Sequence, residues 1–216
     1  MPIAGTFCIP RIRESLQGFK KAFPSINRRL SVQREDFTDT LLEHILLAYQ
    51  FLNRLLSRGI DIFSPAGLYA LLEVNHLVMC GNDPATRLSF HLHIEETRRR
   101  YQENIDLILP WVRKARGKLP PFAFITEFYI KCLSHPQLFV EGNHRSGNIL
   151  VNYLLVSEGF PPFIVTPETG YEYLELSGAV KFSSKEKVLD TVLPLKKAKK
   201  RLMRLFREHG DARYLA

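Results

Sequence analysis

Phe139-Val-Glu-Gly-Asn-His-Arg-Ser-Gly147 is a short polar run with two glycines, set between two stretches of chain that are almost wholly apolar. Upstream, Phe122 to Leu133 carries Phe122, Phe124, Ile125, Phe128, Tyr129, Ile130, Cys132 and Leu133, apolar on every face of a helix and so expected at the centre of the molecule. Downstream, Ile149 to Val156 is equally apolar. Burying a polar loop between two such helices costs stability unless the loop is used. This one ends by entering a helix, whose first amides have no internal partners and carry the positive end of the dipole. The loop is therefore the expected site, and an anion its expected ligand.

The residue types in the run suit phosphate chemistry. Gly142 and Gly147 leave the backbone N–H groups unobstructed, and Arg145 adds a forked, permanently charged donor. Glu141 just ahead of them is placed to hold Mg²⁺, which keeps most of its waters and takes few protein ligands beside bound phosphates. His135, on the same loop, titrates near neutrality and can take a proton from an attacking hydroxyl. Base, metal carboxylate and phosphate nest thus occur in chain order.

The run resembles the signature of the Fic (Fido) family, His-x-Phe-x-Asp/Glu-Gly-Asn-Gly-Arg-x-x-Arg. Phe139, Glu141, Gly142, Asn143 and Arg145 match it position for position. The likeness continues through Ile149 to Val165, including the exit Gly159-Phe-Pro-Pro-Phe163, and covers roughly residues 105 to 180. It implies an all-α fold, a Fic-type helical bundle with a small β-hairpin flap. It also implies transfer of the AMP moiety of ATP, or another nucleotide phosphate moiety, to a Ser, Thr or Tyr hydroxyl of a target protein. In that scheme Glu141 holds Mg²⁺, while Gly142, Asn143, His144, Arg145, Gly147 and Asn148 surround the phosphates.

The chain departs from the family pattern at three places. The family has one residue between its His and Phe, whereas His135 and Phe139 enclose three. Aligned without a gap, the base position holds Gln137; with a two-residue insertion, His135-Pro136 matches the family's frequent His-Pro and is the base. His144 stands at the second glycine, where related Doc proteins carry Lys and act as kinases. Asn148 replaces the last arginine and has no charge for a γ-phosphate. Ser31-Val-Gln-Arg-Glu35 has the spacing of the family's inhibitory glutamate segment, a spacing that also marks an ordinary helix start, and with Asn148 in place of arginine no such brake is expected.

With 216 residues, 45% of them apolar, the chain is long enough for one well-buried domain with helical ends. The expected division is a basic extension over 1–35, a Fic-like domain over 36–182 and a basic helical extension over 183–216. The +8 charge sits at the ends: residues 1–34 hold seven Lys/Arg against Glu14, and residues 191–216 hold eight against two acids. Such ends suit nucleic acid or acidic partners, but Leu202, Met203, Leu205 and Phe206 at helical spacing describe more simply a packed helix with a solvated basic face. No apolar run suits a membrane span and the first ten residues lack signal-peptide features, so a soluble, cytoplasmic protein is expected. Cys8, Cys80 and Cys132 indicate neither a disulfide framework nor a zinc site.

Helices are expected over 40–56, 65–79 and 95–111, one opening at Pro120-Pro121, and one starting from a capping box at Ser183-Ser-Lys-Glu186 and broken or kinked at Pro194. Arg87-Leu-Ser-Phe-His-Leu-His93 alternates as a strand would, which places the flap near residues 86–94. In the family a target protein lies along the flap by strand addition. An antitoxin or a second copy of the chain is the other expected partner. Three readings compete with AMP transfer: Doc-like phosphorylation, a non-catalytic nucleotide- or partner-binding module in which Gln137 replaces the base, and a basic nucleic-acid binder, for which only the charged ends argue.

Overall fold

The computed structural model describes residues 5–183 and 192–216. It is all-α: α1 (Ile9–Arg29), α2 (Asp39–Ser57), α3 (Pro65–Cys80), α4 (Pro84–Ser89), α5 (His91–Ala115), α6 (Pro121–Leu133), α7 (Asn143–Ser157), α8 (Pro167–Lys181) and α9 (Val192–Glu208), then a 3₁₀ turn at Ala212–Tyr214. The starts follow local chemistry. Thr38, Ser64 and Asp83 accept from the amides of Leu41, Gly67 and Thr86, and Thr166 forms a reciprocal capping box with Thr169. Proline opens α3, α4, α6 and α8, where its missing N–H would have been unpaired anyway.

The all-round apolar helix is indeed central, since α6 packs against α5, α7, α8 and α9. Phe128, Tyr129 and Leu133 on α6, and Leu150, Val151 and Leu155 on α7, are each about 1% exposed or less. A fully buried aliphatic side chain contributes about 1.5–3 kcal/mol, so this pair of helices can offset several buried polar groups between them. α1 lays Ile12, Leu16, Phe19, Phe23 and Ile26 against α8 and α2, within the same hydrophobic core.

The expected hairpin flap is not formed. Residues 84–89 and 91–115 are helical, and among the described residues the only β-type contact is an isolated bridge between Phe7 and Leu215. Asp83 accepts from both the amide and the hydroxyl of Thr86, which nucleates α4, and the next helix begins almost at once. Leu88 on α4 and Leu92 on α5 are 72% and 70% exposed, so the apolar positions of the alternation lie on the solvated sides of two short-linked helices. The pairing edge expected for a target protein near residues 86–94 is therefore absent. Ser31 to Glu35 starts no helix, lying in the link between α1 and α2. Beyond Ser183 the expected capping box at 183–186 lies outside the described residues, and Pro194 falls within the first described turn of α9. No described helix is long and apolar enough to cross a membrane.

Candidate functional site

The link from α6 to α7 is held by a dense set of polar contacts. The Leu138 amide donates to Cys132 O at 2.9 Å, and Asn104 Nδ2 donates to Gln137 O at 2.6 Å. Asn143 is bonded to Phe139 in both directions, accepting from its amide and donating to its carbonyl, each at 2.9 Å. The Phe139 ring stacks on Tyr101 and is 1% exposed. From α3, Asn75 Nδ2 donates to Glu141 O at 2.9 Å and to Ser146 Oγ at 3.0 Å.

Gly142 is the pivot. Its φ of 72° lies in the left-handed region, and a Cβ there would stand 2.8 Å from Met79 Sδ and 3.0 Å from Asn75 Nδ2. The first bond of α7 runs from the Ser146 amide to Gly142 O at 2.9 Å. The amides of Asn143, His144 and Arg145 therefore have no helical carbonyl to meet. Gly147 serves packing, since a Cβ would lie 2.8 Å from the Tyr129 ring on α6.

A cavity of about 460 Å³ opens at this helix start. Its polar wall includes Glu141, Gly142, Asn143, His144, Arg145 and Asn148, joined by Gln137 from the link, Arg34 and Glu35 from the α1–α2 link, and Lys181 from the end of α8. Phe19, Phe23, Phe37, Leu41 and Ile45 form its apolar side. Unpaired polar atoms gather here: both ring nitrogens of His144, Asn148 Nδ2 and Arg34 Nε are shut off from solvent without a hydrogen-bond partner. Leaving such groups unpaired is costly, as an unmet buried donor or acceptor forfeits about 1–3 kcal/mol.

Burial and neighbouring charges act on both ionisable residues at the start of α7. Burial, then the charges of Arg34, Lys181 and Arg145, pull His144 from its ordinary 6.5 down to about 3, so the ring is neutral at physiological pH. Burial also lowers the Arg145 pKa, opposed by Glu35 and Glu141. Arg145 touches Met79 Sδ at 3.7 Å and, among the described residues, has no carboxylate within 4 Å.

Most of the residues expected at the site meet in this wall, but two do not. His135 is exposed, donates its amide to Ser183 O at 3.1 Å and is not part of the lining, whereas Gln137 is. Gln137 in turn directs Nε2 to Leu133 O at 3.0 Å. Gly147 lies behind the wall, and the Asn143 side chain is committed to Phe139. Arg34, Lys181 and Asn75 are participants that the motif does not announce. Only Asn75 leaves a signal in sequence, as an amide in the middle of the apolar run Leu71-Leu-Glu-Val-Asn-His-Leu-Val78.

Among the described residues no three His, Cys, Asp or Glu side chains are grouped to hold a metal ion. A resident metal is not what these residues fit. A Mg²⁺ that arrives with phosphates needs little more than one carboxylate, and the exposed Glu141 at the cavity rim fits that role. No family model matches the chain, and neither a curated protein nor a solved structure matches it.

Proposed function

We propose that this chain is a Fic-type transferase that binds a nucleoside triphosphate, ATP, with Mg²⁺ and moves its AMP moiety to a Ser, Thr or Tyr hydroxyl of a target protein. The observation that carries the reading is the cavity at the start of α7, whose lining brings together Gly142, Asn143, Arg145, His144 and Asn148 beside Glu141, with buried, unpaired side-chain nitrogens on His144 and Asn148. The Fic-like motif falling on a tied loop between two buried helices supports it as well. In the reaction the acceptor oxygen bonds to the α-phosphorus, the bond from that phosphorus to the bridging oxygen breaks, and pyrophosphate leaves. The hydroxyl proton passes to the base. Mg²⁺ at Glu141 would offset phosphate charge. The α7 amides and Arg145 hold the phosphoryl oxygens, where charge builds in the transition state.

A second reading, a nucleotide-binding module without transfer, is favoured by one contact. Gln137 occupies the lining and His135 does not, and an amide cannot take a proton at neutral pH. Incubation with α-labelled ATP, Mg²⁺ and a cell extract separates the two. Transfer should label protein, disappear in Arg145→Gln, and fall by about 10²–10⁴ in His135→Ala, the usual share of a positioned base. Nucleotide binding without label supports the module, and no binding at all rejects the site.

A further inference from the structure

Away from α7 the cavity is lined by two cations, Arg34 and Lys181, beside the single carboxylate of Glu35, and the phosphate-binding reading above does not use them. Arg34 is placed there by its neighbours. Asn27 bonds its backbone in both directions, accepting from Arg34 N at 2.7 Å and donating to Arg34 O at 2.8 Å. Its guanidinium lies against α8, donating from Nη2 to Leu174 O at 3.4 Å, over Gly178, where a Cβ would stand 2.7 Å from Nη2. A second donor, Nε, is buried without an acceptor. Lys181, in the last turn of the same helix, lines the same space. Among the described residues neither cation has a carboxylate within 4 Å, although Arg13, Lys20, Arg87, Arg116, Lys199 and Arg201 each do.

We infer that Arg34 and Lys181 form a second anion subsite opposite the α7 nest, so that the cavity takes a ligand with two or more linked phosphate groups in preference to a single phosphate. This rests on the phosphate-binding part of the proposed function and names the polyphosphate class of its ligand. One group lies on the amides of Asn143, His144 and Arg145, and the next on Arg34 and Lys181. His144 lines the same cavity and is close enough to feel all three cations. Because its ring is neutral it can donate one hydrogen bond to a bridging or terminal oxygen without repelling the cations that flank it. Asn148, which brings no charge, lines the same cavity with its Nδ2 buried and unpaired, and a small turn of its side chain would be needed to reach the same oxygens. The charge that the motif itself lacks at that position is supplied by two residues far from it in sequence.

The test is calorimetric titration of the whole chain with inorganic phosphate, pyrophosphate and tripolyphosphate in the presence of EDTA. Wild type should bind pyrophosphate at least about tenfold tighter than phosphate, the return expected from one added charge-assisted contact. Arg34→Gln should remove most of that advantage while leaving phosphate affinity within about twofold. Lys181→Gln should act in the same direction and, as a half-exposed residue at a helix end, leaves the fold unchanged by circular dichroism. Arg145→Gln should weaken both ligands. If phosphate binds but pyrophosphate is no tighter, or if both Arg34→Gln and Lys181→Gln leave the ratio unchanged, the second subsite is wrong and the nest stands. If neither ligand binds wild type, the nest and the proposed function fail together with it.

Discussion

Asn143 and Phe139 are joined twice, amide to amide, at 2.9 Å in each direction, and this closes the loop that presents the first turn of α7. The side chain of the residue expected to touch phosphate is thus spent on holding the loop backbone. Asn143→Ala leaves a buried N–H and a buried C=O unmet, each worth about 1–3 kcal/mol. Urea denaturation should show a loss of about 2–4 kcal/mol, with phosphate affinity falling in the folded fraction. A loss below about 0.5 kcal/mol would mean that the loop does not depend on this pair.

Asn75 acts from the other side, and its conservative variant is the more informative one. Asn75→Asp keeps the shape but removes the hydrogen bond donated to Glu141 O, leaves the Ser146 hydroxyl to donate in place of accepting, and adds a negative charge beside the start of α7. Phosphate binding should drop by more than tenfold, beyond what its stability loss of about 1–3 kcal/mol accounts for. Unchanged binding in a folded Asn75→Asp protein would remove α3 from the site.

Gly147→Ala separates packing from ligand contact. A Cβ would press on the ring of Tyr129, which is 1% exposed and bonded through its hydroxyl to Tyr173 at 2.9 Å. Overpacking of about 1–3 kcal/mol should outweigh the roughly 1 kcal/mol that alanine gains over glycine in a helix. Thermal melting should therefore show destabilisation, with pyrophosphate affinity near wild type at a temperature where the variant is folded. Equal or greater stability would contradict the close α6–α7 approach.

His144 gives the protein an acid sensitivity of defined sign. Its folded-state pKa, about 3, lies below its ordinary 6.5, so the unfolded chain takes up the proton first. The stability it contributes is present above about pH 6.5 and is lost as pH falls toward 3, at no more than about 1.4 kcal/mol per pH unit. His44, lowered by burial and by Arg145, acts in the same direction. Denaturant midpoints at pH 7 and pH 5 should differ less in His144→Gln than in wild type. The same pH dependence in both proteins would place the effect elsewhere.

The α6–loop–α7 unit was legible because helices apolar on all faces have only one place to go, and because a polar run between them must be either used or tied down. It is tied down, and the ties from Asn75 and Asn104 come from helices distant in sequence, which no local pattern announces. The flap was misread because Leu88, Phe90 and Leu92 satisfy a period of two, although Leu88 lies on α4 and Leu92 on α5. The cap at Asp83 and Pro84 at the first helical position held the information that decides between strand and helix. On the site, the α7 wall could be read from the motif, but Arg34 and Lys181 could not, since only the packing of α1 and α8 brings them there. Nor does spacing settle whether His135 or Gln137 turns toward the cavity, a matter of how the link is folded back on Leu133 and Asn104.

The paired ends of the chain bear on how the cavity comes to exist at all. Cys8 N donates to Tyr214 O and Ala216 N donates to Thr6 O, each at 2.8 Å, so the first described turn and the final residues meet across some two hundred positions. A contact of that span closes nearly the whole polypeptide into a ring, and the entropy of closing it must be met before the contact returns anything. α1, which carries Leu16, Phe19 and Phe23 into the cavity, follows directly from that junction. The apolar wall of the cavity is thus tied, through the start of α1, to residues 214–216.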